Sequence, residues 1–265
     1  MSIDLEDWFC AYNLRINIVD WDKQELRVVG NTRRLLDLLA KHNTHATFFI
    51  LGWIAERVPD LICEIEQRGH EIATHGYSHT VLTDMTPDAF EADLTRALDV
   101  TRARVKQDIL GFRAPSFTIT QKTLWAIDIL ARHGIRYDSS VFPIGFHPDY
   151  GIANAPLSIH PLGALTEVPM SVAKIFGRPV PCSGGGYFRV IPYAVTRYLM
   201  RQCNRQGRPV IFYMHPWETD PGQPRVKLSR SKSFRHYFNL DKTMRRLDRL
   251  LTDFEFTPIK QVLGL

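Results

Sequence analysis

Thr32-Arg33-Arg34-Leu35-Leu36-Asp37-Leu38-Leu39-Ala40-Lys41-His42 is followed closely by Ala46-Thr47-Phe48-Phe49-Ile50-Leu51. In the first stretch Leu35, Leu36, Leu38 and Leu39 have helical spacing. The second is a continuous apolar run of strand type. The same alternation extends in both directions. Strand-type runs stand at His70–Thr74, Ile109–Ala114, Leu165–Met170, Val210–Met214 and Phe254–Ile259, and Ser2-Ile3-Asp4-Leu5 reads as a first strand. Helical spacing recurs in Pro87–Val105 (Phe90, Leu94, Leu98, Val105), with Pro87 suited to an early turn, and again in Leu124–Ala131 and Leu240–Leu251. Alternating β and α segments predict a parallel sheet with helices packed outside. Seven or so such units in one chain favour a barrel over an open sheet. Pro143–Pro161 and Arg225–Phe238 read as long loops.

The chain has 265 residues, 45% hydrophobic and 23% charged. That is ordinary globular composition with room for a sizeable core, and it excludes a disordered, collagen-like or coiled-coil protein. No apolar run approaches the roughly 18 residues needed to span a membrane. No signal peptide is visible at the start, so the expectation is a cytoplasmic protein, with peripheral contact to the inner membrane left open. The formal charge is +5. The excess gathers late, at Arg225, Lys227, Arg230, Lys232 and Arg235 and then Lys242, Arg245, Arg246 and Arg249. Without an aromatic platform or groove-reading motif, these read as solvated surface, with no nucleic-acid partner. Cys10, Cys63, Cys182 and Cys203 form no CxxC pair and read as reduced thiols.

In a parallel α/β barrel the loops after the strands form the active face. Five groups of reactive residues stand at such places. Asp4, Glu6 and Asp7 put three carboxylates within four positions, an expensive cluster unless a cation or a shared proton relieves it. His75 and His79, at i and i+4 with Gly76 between them, can face one point on a helical turn. With one carboxylate from a neighbouring strand end they make a three-ligand site with open positions, the catalytic pattern for zinc. Arg113 is a permanent cation able to grip a carboxylate, and Ser116 follows it past Pro115. Asp138 precedes Ser139 and Ser140. His215, held by Pro216, ends an apolar strand and suits a general acid. Gly184-Gly185-Gly186 lacks the Lys-Ser/Thr of a phosphate loop and reads as a sugar-facing wall or a tight turn.

In this order the motifs resemble the polysaccharide deacetylase family (NodB homology, carbohydrate esterase family 4). Thr47-Phe48-Phe49 through Gly52 and His70-Glu71-Ile72 look like that family too. Gly184–Arg189 and His215-Pro216-Trp217-Glu218 are similar to its exopolysaccharide-locus branch, the exosortase-associated deacetylases. The resemblance covers nearly the whole chain. It implies a single-domain, distorted (β/α)7 barrel over residues 1–265 with a branch-specific C-terminal extension from about residue 160. It also implies a divalent metal, zinc first and cobalt, iron or manganese as alternatives, and hydrolysis of N-acetyl groups on a glycan. By resemblance Asp4 is the catalytic base and Arg113 holds it. His75 and His79 bind the metal, His215 is the general acid, Asp138 orients it, and the Ser116 N–H serves the oxyanion. Two departures stand out. Many members carry Tyr where Ser116 stands. The family's adjacent Asp pair is also replaced by Asp4-Leu5-Glu6-Asp7. A strand's period of two puts Asp4 and Glu6 on one face, yet Asp is the family's ligand type and the strand ends near Asp7, so Asp7 is the expected third ligand with Glu6 the alternative. A hydrolase of another C–N bond, such as a cyclic amide, and a glycan-binding barrel without turnover are the rival readings.

Overall fold

The computed structural model describes residues 1–145 and 150–265; positions 146–149 of the expected Pro143–Pro161 loop lie outside the described residues. Among the described residues there are ten strands: β1 Ser2–Leu5, β2 Thr47–Ile50, β3 Glu71–Thr74, β4 Gly111–Phe112, β5 Tyr137–Asp138, β6 His160–Leu162, β7 Leu165–Glu167, β8 Val172–Ile175, β9 Arg178–Pro181 and β10 Tyr213–Met214. Eight of them form one curled sheet in the order β10-β1-β2-β3-β4-β5-β7-β6. From β10 to β7 the seven neighbours run parallel, and β6 adds an antiparallel edge to β7. The fold is thus the distorted (β/α)7 barrel of a single α/β domain. Among the described residues β10 and β6 do not pair, so the barrel stays open on that side. β8 and β9 form a separate hairpin.

Strand periodicity sorts the side chains. Ile3, Leu5, Phe48, Ile50, Ile72 and Phe112 belong to the large cluster packed under the helices. Phe49, Ala73, Tyr137 and Tyr213, each one position out of phase, fill the barrel interior. Helices lie outside, where expected: Val28–Lys41, Pro87–Arg102, Ala126–Arg132 and Leu240–Asp253. Thr86 caps the second of these by accepting the Ala89 N–H, Pro87 stands in its first turn, and Phe90, Leu94, Ala97 and Leu98 are its buried face.

Two expectations fail. Phe254–Ile259 is not a strand. It crosses beneath the strand starts: Thr257 accepts the Met1 amino group, Ile259 N donates to Thr47 Oγ1 and Lys260 N donates to Glu71 Oε2. Its apolar residues close the barrel floor instead of lengthening the sheet. Arg225–Phe238 is not all loop either, since Arg230–Tyr237 is a helix. Only His236 and Tyr237 of that helix are buried, too few to give the sequence an apolar rhythm.

Candidate active site and metal centre

β1 delivers Asp4 and Glu6 to the inner face two residues apart, and β3 leads directly into His75. Glu6 Oε1 lies 3.0 Å from His75 Nε2 and 2.9 Å from His79 Nε2, and all three side chains are buried. His75 Nδ1 donates to the Arg113 carbonyl at 2.7 Å. With Nδ1 committed as a donor, the neutral imidazole that a metal requires presents its Nε2 lone pair toward Glu6 Oε1, and both atoms are then acceptors. A cation between them relieves this contact, so the donor set fits a divalent metal.

The histidine pair does not sit on a helical turn as expected. Residues 75–79 form a loop in which Gly76 (φ 71°) and His79 (φ 55°) take left-handed conformations. Asp93, on helix Pro87–Arg102, pins that loop by accepting the Tyr77 N–H at 2.8 Å and the Ser78 N–H at 3.1 Å. Asp93 carried no signal in the sequence.

Asp7 faces elsewhere and is not beside the histidines. Its Oδ1 accepts the Trp8 N–H, and its Oδ2 accepts the Arg27 and Val28 N–H groups that open helix Val28–Lys41. Burial pushes its carboxyl up to about 6 against those three donors. Glu6 is the carboxylate at the histidine pair, as the period of two allowed.

Arg113 is wholly buried inside the barrel. Its Nη1 donates to Asp4 Oδ1 at 2.7 Å and to Ser2 Oγ at 2.8 Å, its Nε donates to the Ser139 carbonyl, and its guanidinium lies over the Phe49 ring. Asp4 Oδ2 lies 3.8 Å from His215 Nε2.

His215 is oriented by Glu218, not Asp138. Glu218 Oε1 meets His215 Nδ1 at 2.8 Å, and Glu218 Oε2 accepts from buried Arg189 at 2.7 Å. Burial opposes the imidazolium, yet the Glu6 and Glu218 carboxylates outweigh it and push His215 up to about 9. Burial likewise opposes the Glu218 anion, but Arg189 and His215 bring it down to about 2. In the sequence Glu218 and Arg189 stood out only as members of the His215–Glu218 and Gly184–Arg189 motifs, with no role assigned to either. Asp138 pairs in register with Phe112, whose ring packs under the outer helices, so it points out of the barrel while His215 points in. It binds Ser140, whose Oγ in turn accepts the Ala114 N–H at 2.7 Å. Its register partner is Glu167, and both carboxyls are fully buried.

Asp4, Glu6, His75, His79, His215 and Glu218 open on a cavity of about 560 Å³ whose walls include Tyr12, Phe117, Tyr150, Tyr187 and Trp217. Ser116 lines it in a left-handed conformation (φ 53°), a strained backbone of the kind found at functional sites. Gly185 and Gly186 line it as well, and a Cβ at Gly184 (φ 104°) would stand 2.0 Å from the Tyr213 carbonyl oxygen. The glycine run is thus the cap and first turn of the short helix Gly185–Val190, and it forms part of the cavity wall.

Residues 20–137 match the polysaccharide deacetylase family, and residues 139–264 match a domain of unknown function, DUF3473. A peptidoglycan-N-acetylglucosamine deacetylase of Bacillus cereus is 28% identical over 120 residues, covering 41% of this chain and 44% of that protein. A chitooligosaccharide deacetylase of Rhizobium leguminosarum bv. trifolii is 38% identical over 101 residues, covering 38% of this chain and 44% of that one. The matches thus span under half the length of these curated relatives. A Mycobacterium smegmatis structure provisionally named a polysaccharide deacetylase superposes with a TM-score of 0.63 at 22% identity, covering 100% of this chain and 87% of that one. Residues 20–137 thus look like a polysaccharide deacetylase domain (NodB, carbohydrate esterase family 4), and the whole chain shares the fold of the Mycobacterium structure.

Proposed function

We propose that the protein is a metal-dependent hydrolase that removes N-acetyl groups from amino sugars of a polysaccharide or lipid-linked glycan, in exopolysaccharide biosynthesis. One observation carries the reading. A three-donor cluster, a carboxylate gripped by a buried arginine and an imidazole oriented by a carboxylate converge on one cavity. The deacetylase names of the Bacillus and Rhizobium relatives supply the bond, an acetamide on a glycan. The exopolysaccharide role rests on the resemblance of Gly184–Arg189 and His215–Glu218 to the exosortase-associated branch.

Glu6, His75 and His79 would hold a divalent cation. Zinc is the first choice for two imidazoles and a carboxylate, with cobalt, iron or manganese as alternatives. Bound there, it supplies Lewis acidity at the acetamide carbonyl. Arg113 occupies Asp4 Oδ1 and leaves Oδ2 to take the proton of the attacking water. The Ser116 N–H serves the oxyanion. His215, protonated and fixed by Glu218, gives its Nε2 proton to the departing amine, leaving acetate and a free amino sugar. The test is acetate release from N-acetylated oligosaccharides by the protein as purified, after chelation, and after reloading with each metal. Activity should vanish on chelation and return with at least one cation. Full turnover by demonstrably metal-free protein would sink the reading.

A further inference from the structure

We infer that the glycan acted on here carries an anionic group, a phosphate or a carboxylate, which Arg235 binds at the outer wall of the active-site cavity. The inference deepens the deacetylase reading and rests on it for the identity of the reacting acetamide. It begins from charge pairing. Inside the cavity Asp4 is paired with Arg113, Glu6 belongs to the metal-donor cluster with His75 and His79, and His215 is paired with Glu218, which also holds Arg189. Arg235 lines the same cavity with its side chain exposed, and among the described residues no carboxylate reaches it. Its surroundings add no compensation. Residues 221–240 contain five Arg and Lys and no Asp or Glu.

The position of Arg235 is built. Arg189, the arginine that anchors Glu218, donates from Nη2 to the Arg235 carbonyl at 3.0 Å. The next residue, His236, is buried, with its ring stacked on Trp217 and its Nε2 against Gln223 Oε1. Ser231, Phe234 and Arg235 share one face of helix Arg230–Tyr237 and turn it to the cavity. A neutral sugar needs aromatic faces and hydrogen-bonding groups, which Tyr12, Tyr187 and Trp217 already offer. An unpaired guanidinium adds repulsion from its basic neighbours unless an anion arrives, and its planar fork matches phosphate or carboxylate oxygens two at a time.

Three N-acetylated ligands test this: neutral chitotetraose, a tetrasaccharide alternating N-acetylglucosamine with glucuronate, and N-acetylglucosamine joined through a diphosphate to a short prenol. One of the two acidic ligands should exceed chitotetraose in kcat/KM by about tenfold at low salt, and the advantage should shrink at high salt. The arm that shows it identifies carboxylate or phosphate as the source of the charge. Arg235→Gln should remove most of that preference through KM, and Arg235→Lys should restore part of it. Calorimetric binding of the same ligands reads the anion site without turnover. Arg235-dependent binding of an acidic ligand with no acetate released from any ligand would leave the anion site standing and overturn the deacetylase reading. Acetate release from all three at equal efficiency, with ratios unmoved in Arg235→Gln, would overturn the anion site.

Discussion

Glu6 and Asp7 are neighbours with the same charge and different tasks, because the strand's alternation turns one inward and releases the other to the loop. Glu6→Gln should therefore abolish stoichiometric metal in elemental analysis while the fold persists. Asp7→Ala should keep the metal but leave the buried Trp8 and Val28 N–H groups and the half-buried Arg27 N–H without their acceptor, a loss of about 1–3 kcal/mol that urea unfolding reads. Metal lost from Asp7→Ala and retained in Glu6→Gln would reverse the assignment. The same reasoning separates Glu218 from Asp138. The imidazolium of His215 is the form that donates, and it is lost as pH rises through a pKa that the Glu218 carboxylate helps to raise. Removing the Glu218 charge withdraws support from that cation, so Glu218→Gln should move the alkaline limb of kcat to lower pH in the metal-loaded enzyme. Asp138→Asn, on the far side of the sheet, should leave the limb where it is. A limb unmoved in Glu218→Gln would remove Glu218 as the orienting group.

The loop that carries His75 and His79 is short, left-handed at Gly76 and His79, and fixed from outside by one side chain of helix Pro87–Arg102. Asp93→Ala frees the Tyr77 and Ser78 amides while keeping every metal donor. Metal affinity should fall by about 10–100-fold, as it does when outer supports of a ligand are removed. Equilibrium dialysis checks this, and unchanged affinity would show that the loop holds itself. The loop also marks where sequence reading stops. The strands and long helices were legible because burial repeats with a fixed period, in Phe48/Ile50 against Phe49 and in Phe90, Leu94 and Leu98. The strand-end donors were legible as residue types. The helical turn assumed for His75–His79 was not there, because Gly76 and His79 leave right-handed space. Asp93 and Arg189 act across long sequence separations and follow no period. Phe254–Ile259 had a strand's composition, but its partners are side chains of Thr47 and Glu71 and not a neighbouring edge.

Among the described residues, buried charges inside the barrel and at its floor are answered by partners, whereas two carboxyls on its outer face compete. Arg113 sits in the interior, bonded to Asp4, Ser2 and Ser139. Glu71 at the floor accepts from Thr47, Tyr137 and Lys260. Asp138 and Glu167, register partners on β5 and β7, are two buried carboxyls side by side. Glu167 Oε1 accepts the Val141 N–H, but its Oε2 is buried without a donor. A proton shared with Asp138 satisfies that oxygen, and burial together with the Asp138 charge raises Glu167 well above the ordinary range. The consequence for stability has a definite sign. Below about pH 4.3 the unfolded and folded chains both hold the proton. Above it the unfolded chain releases the proton and the folded chain keeps it, so this pair subtracts stability as pH rises toward the folded value, by at most about 1.4 kcal/mol per pH unit. Glu167→Gln supplies a permanent amide donor for Asp138 and an oxygen for Val141, and it removes the titration. The stability of Glu167→Gln relative to wild type should therefore climb steadily from acid to neutral pH in urea unfolding. Titrating groups away from the pair are common to both proteins and cancel in that difference. A difference that stays flat across the range would show that no proton is shared between Asp138 and Glu167.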